Sequence, residues 1–236
     1  MGSSVTPPLF FISYVHDSGE DDQHVHRFYR DLNHDVLMFA GRRSTETAGF
    51  CDVSFQLGQR WSPELIRNLS TTQVFIPVLS PAYFRSEACG KEWAIFSSRL
   101  HRGGRPDSAD SSIIPLLWVP MTVPEIAQPY QYKDAAFGAE YERAKLRALI
   151  REERRRDDYN AFVQQLAQRV VDLSETEPVA EAPERPGFDD VRSAFTVVPE
   201  PRRPAGTTAT TSPTRRQARD SADRPILNAN LTEDLR

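Results

Sequence analysis

Glu92 is the residue whose setting best suits chemistry. It lies in the stretch 73–96, QVFIPVLSPAYFRSEACGKEWAIF, which reads as an apolar strand, then Ser80-Pro81, then Tyr83 and Ser86, then Cys89 and Glu92. That layout puts one carboxylate near the start of a helix following a buried strand. Open α/β sheets bind their ligands outside the carboxyl ends of their strands. On a helical wheel Cys89, Trp93, Phe96 and Leu100 fall at i, i+4, i+7 and i+11 and form a core stripe, with Glu92 at its margin. A carboxylate at such a margin is partly desolvated yet open to a cleft. The alternative is an ordinary surface glutamate in an early helical turn, favoured by the helix dipole.

Other polar residues offer less. Asp52 either faces the same cleft or caps the loop after its strand, and His16 and Asp17 either touch a ligand or are solvated loop residues. His24 and His26 lie two apart on a helix, so they point in different directions and make a poor metal pair. Cys51 and Cys89 form no ligand-spaced set, so neither a zinc site nor a disulfide framework is expected. The sequence contains no Ser/His/Asp arrangement, Walker loop or glycine-rich dinucleotide fingerprint.

The elements that must position Glu92 can be read from periodicity. Residues 9–14, 73–80 and 113–119 are near-continuously apolar, as strands of a helix-covered parallel sheet must be. Residues 50–55 (FCDVSF) alternate more and suit a strand nearer the edge. Between the first two strands, Val25, Phe28, Leu32 and Val36 make one stripe of an amphipathic helix over about 21–37. Ser62-Pro63-Glu64 is a helix start: a cap, a proline in the first turn and an acid near the positive dipole end. Residues 121–138 read as a long loop. A last helix over 159–171 carries Tyr159, Phe162, Val163, Leu166 and Val170 on one face and closes the flank of the sheet. This alternation of strand and helix implies a doubly wound α/β fold.

Lys plus Arg is 29 against 33 Asp plus Glu, a net charge of −4, which argues against a protein that coats nucleic acid. The basic run REERRR (151–156) includes two acids and no aromatics, so it reads as a solvated helix face. The longest apolar stretch, 113–121, falls short of the ~20 residues of a membrane span. A soluble, cytoplasmic protein is expected, with no nucleic acid or membrane partner. From 174 the composition shifts: the remainder holds 8 of the 18 prolines and only two aromatics, Phe188 and Phe195. Such a segment cannot offset its ordering entropy, so a disordered tail over 174–236 is expected after a domain at 9–173 and a flexible N-terminus at 1–8. Phe188, Val191 and Phe195 share a helical face within it, either a docking island or an inert one.

These residues resemble the TIR domain family over roughly 9–172. FISY (Phe11, Ile12, Ser13, Tyr14) resembles the family's first-strand box. Gly58 and Trp61 resemble the loop after the second strand, and VFIPVLSPAYFRSEACGKE the third box, with its series Ser, Tyr, Ser, Cys and Glu. SPAYFRSEACGKEW and IIPLLWVP resemble more narrowly the actinobacterial TIR-like proteins associated with FxSxx-type ribosomal peptides. The resemblance implies a flavodoxin-like doubly wound parallel sheet, with the cleft between the loops after the first and third strands. Those loops would place Ser13, Tyr14 and Tyr83 beside a substrate.

The family has two functional kinds. One hydrolyses the nicotinamide–ribose bond of NAD, with the glutamate of the third box, here Glu92, as the catalytic residue. The other is an assembly or adaptor module that acts through protein–protein contacts. For the first kind the resemblance implies NAD as a consumed substrate and no cofactor. It also implies homo-oligomeric assembly and a role in bacterial signalling or antiphage defence, with a separate sensor protein as partner. The carried-over substrate-binding positions are Ser13, Tyr14, Asp52, Trp61, Tyr83 and Cys89, with no metal. The family often has Trp four residues before the glutamate; this chain has Ala88, so either Trp61 or Tyr83 supplies the stacking surface or turnover is weak. Nucleoside deoxyribosyltransferases also set a glutamate beside a ribose on such a sheet, but their boxes differ. A phospho-receiver domain is excluded, because no acidic pair directly follows the first strand.

Overall fold

The computed structural model describes residues 7–16, 19–43, 45–51, 63–103, 112–130, 137–183, 185 and 187–195, and among these described residues four short strands alternate with helices before two helices close the domain. In order they are β1 (Phe10–Ser13), α1 (Glu20–Phe39), β2 (Gly49–Cys51), α2 (Pro63–Thr71), β3 (Val74–Leu79), α3 (Glu87–Arg102), β4 (Leu116–Leu117), α4 (Ala139–Arg151) and α5 (Arg156–Thr176). All pairings are parallel and the strand order is β2-β1-β3-β4, a doubly wound sheet with β2 at one edge.

Strand alternation divides the core into two layers. Phe10, Ile12, Ile76 and Leu116 pack with the apolar faces of α1, α4 and α5, including Phe28, Leu32, Phe162 and Val170. Phe11, Phe75, Leu79 and Leu117 pack on the other face with Leu65, Leu69, Trp93 and Phe96 of α2 and α3. The stripes expected on α1, α3 and α5 are therefore the buried ones.

Two expected elements differ in extent. The strand expected over 113–119 shrinks to Leu116–Leu117 plus an isolated bridge from Ile113 to Phe75. Phe75 N–H donates to Ser112 O, 2.8 Å; two residues along the same edge stands Pro77, which has no N–H, and the ladder lapses. REERRR straddles the junction of α4 and α5 rather than forming one solvated helix face. Arg155 within it is 7% exposed and pairs with Glu140 and Glu152.

The helix α4 is kinked at Lys145, whose φ of 66° and ψ of 169° leave the helical region. Past the kink, Arg147 N–H donates to Trp118 O at 3.0 Å, tying α4 to the end of β4. Composition places a disordered tail from 174, yet α5 runs to Thr176 and described residues beyond it pack on the domain. Val179 and Phe195 are buried, and the Arg99 guanidinium donates to Ala180 O and Val179 O as well as to Leu69 O and Thr72 O. A buried guanidinium gathering carbonyls from separate segments is a cue that averaged composition does not register.

Candidate functional site

Ser80, at the end of β3, starts the local geometry. Its carbonyl and hydroxyl both accept from Tyr83 N–H, at 3.0 and 3.2 Å, winding a short 3-10 turn over Tyr83–Arg85. Ser86 then caps α3, its hydroxyl accepting from Cys89 N–H at 3.2 Å. Cys89 Sγ donates to Tyr14 O at 3.5 Å, and Glu92, 8% exposed, receives the Ser13 hydroxyl. Ser80, Tyr83, Ser86, Cys89 and Glu92 recur at every third residue, and four of them bond to the end of β1 or to the turn that aims at it. That spacing, legible in the sequence, is the signal that identifies them as one group.

Ser13 orders the polar chain. A hydroxyl has one proton, and Ser13 gives it to the carboxylate, so the Tyr83 hydroxyl, 2.9 Å from Ser13 Oγ, must donate to it. Two donors in series thus point at Glu92. Burial, then the charges of Cys89 and Glu92, raises the Tyr83 phenol well above its ordinary value despite the opposing Ser13 hydrogen bond, which keeps it a donor. Burial, and after it Glu92, likewise pushes the Cys89 thiol up. A buried protonated thiol is a poor nucleophile, so Cys89 acts as a packed donor.

The opposite side of β1 opens to solvent. A cleft of about 310 Å³ lies at the carboxyl ends of β1, β3 and β4, lined among others by Tyr14, Asp21, Ser80, Arg85 and Trp118. This is the switch point between β1 and β3, where a doubly wound sheet takes its ligand. The Tyr14 hydroxyl is 2.9 Å from both His16 Nδ1 and His26 Nε2. Asp21 braces the rim: it accepts from Arg147 Nε at 2.8 Å and Trp118 Nε1 at 3.1 Å. Burial alone would raise the Asp21 carboxyl, but these bonds outweigh it and hold the group below its ordinary 3.8.

The structure thus brings Ser13, Tyr83, Cys89 and Glu92 together and sets Tyr14 against them, its backbone on Cys89 and its ring in the cleft. Tyr83 is fully buried, so its ring is not presented to the cleft as a stacking surface. Asp52, Gly58 and Trp61 lie outside the described residues. Among the described residues no three His, Cys, Asp or Glu side chains converge as a metal-ligand group, and no helix is long and apolar enough to cross a membrane.

A parallel sheet of order β2-β1-β3-β4, with a carboxylate on the helix after β3 bonded to the end of β1 and a cleft at the switch point, defines a flavodoxin-like α/β protein. Residues 10–150 match the TIR domain family, and the chain belongs to that family. Comparison with curated proteins returned no match.

Proposed function

We propose that this TIR domain cleaves the nicotinamide–ribose bond of NAD, with Glu92 as the catalytic carboxylate. The observation that carries the reading is the pair of ordered donors, Tyr83 to Ser13 to Glu92, which fixes one carboxylate beside the sheet's switch point. Breaking the N-glycosidic bond sends its electron pair to the pyridinium nitrogen, neutralising nicotinamide and leaving oxocarbenium character on the ribose. A fixed carboxylate stabilises that charge and can hold the ribose hydroxyls. Water then adds to the ribose carbon and loses a proton, giving ADP-ribose; capture by the adenine instead gives a cyclic product. Nicotinamide leaves readily as a neutral molecule, so no strong general acid is required.

On this reading NAD is consumed, and self-assembly of copies, prompted by a sensor protein, switches turnover on in bacterial signalling or antiphage defence in the cytoplasm. The narrower kinship with the actinobacterial proteins associated with FxSxx-type peptides belongs to the same proposal. A second reading is favoured by one observation: Glu92 is 8% exposed and does not line the cleft. On that reading the chain is an assembly or adaptor module without turnover.

The test is NAD loss and nicotinamide release, followed by chromatography at high protein concentration with a crowding agent, for wild type and Glu92→Gln. Turnover that disappears in the variant supports the hydrolase. No turnover from folded, oligomeric wild type overturns it and leaves the assembly module, whose activity should survive Glu92→Gln and fail on changes at Gly58 and Trp61.

A further inference from the structure

The segment after α5 returns along α3 and, at residues 193–195, lies over the helix turn that carries Glu92. Ala194 N–H donates to Gly90 O at 3.0 Å. The Phe195 ring, 7% exposed, sits among three aromatic rings, with centroids 5.6 Å from Tyr83, 5.1 Å from Phe84 and 5.9 Å from Trp93. Gly90 makes this approach possible: a Cβ there would collide with the Ser193 hydroxyl and stand 3.0 Å from Phe195 Cδ2. Glycine inside a helix is less favourable than alanine, so its use at this contact is accounted for by the segment it admits.

Phe195 therefore touches the ring of Tyr83, whose hydroxyl donates to Ser13, whose hydroxyl donates to Glu92. We propose that Phe195 is a positioning residue for Glu92. Seated on α3, it holds the Tyr83 ring, and through Tyr83 and Ser13 the carboxylate, in one arrangement. The importance of that arrangement for turnover rests on the reading of Glu92 as the reacting group; the contact chain itself does not. Residues 191–195 are thus a working part of the site, although they lie beyond the stretch that matches the family.

The experiment uses the full chain and compares wild type with Phe195→Ala, Phe195→Leu and Gly90→Ala. Alkylation by N-ethylmaleimide is followed separately at Cys89 and Cys51 by peptide mass mapping. Cys89 is buried beside Gly90 and serves as the local reporter; Cys51, buried in the other core layer, is the distant control. Phe195→Ala and Gly90→Ala should each raise the Cys89 rate by about tenfold or more through local opening, with Cys51 unchanged. Leucine at 195 should restore most of the protection. A Cys89 rate that does not change, or that rises in parallel with Cys51, overturns the proposal. Where wild type turns NAD over, the two alanine variants should lower kcat and leave KM nearly unchanged; equal loss in both overturns positioning. A Cys89 response in a chain that releases no nicotinamide upholds the contact chain while the hydrolase reading alone falls.

Discussion

Ser13 is the residue on which the candidate site turns. Replacing it with alanine takes a donor from Glu92 and strands the buried Tyr83 hydroxyl, at a cost of about 2 kcal/mol. Tyr83→Phe removes only the outer donor and leaves Ser13 on Glu92, so it should cost about 1 kcal/mol. Urea melts of the two variants measure this, and equal costs would contradict the order of donors. The sequence marks Glu92 well, because a helical wheel puts it at the edge of a core stripe. It does not pair Glu92 with Ser13, since the two lie 79 residues apart and only the β1–β3 register brings them together. Nor does it reveal that Cys89 is inert, which follows from burial against the Tyr14 carbonyl.

At the scale of elements, Asp21 joins the first turn of α1 to Arg147 of α4 and Trp118 beyond β4. Its folded value is depressed, so the stability it contributes is present above 3.8 and is lost as pH falls through the lower folded value. Asp21→Asn should therefore flatten the acid limb of a plot of Tm against pH, and unchanged steepness would contradict the brace. The helices were legible because each buries one stripe, and stripes survive in sequence as spacing. The break ahead of β4 was not legible, because it comes from Pro77 on the neighbouring strand.

For the whole molecule, the family match ends at residue 150, yet Phe162, Leu166 and Val170 of α5 fill the core against α1. A fragment 1–150 would expose that face and should not melt cooperatively, whereas 1–195 should; calorimetry of the two decides it. Arg99 carries the other side: Arg99→Ala removes the buried donor shared by four carbonyls of two segments and should cost about 3 kcal/mol or more. Composition alone puts 174–236 outside the domain, and for residues up to 195 it does not register the docking, because two buried apolar residues and one arginine outweigh the surrounding prolines.

The packing of α1 against α5 also sets a sequence of events in time. The apolar stripe of Val25, Phe28, Leu32 and Val36 is made early in the chain, and its cover comes from the far end. Contacts so distant in sequence form late, after the entropy of closing long loops has been met. During synthesis and refolding that stripe stays open to water and to other chains. Refolding yield should therefore fall as protein concentration rises, long before the finished domain shows any tendency to aggregate.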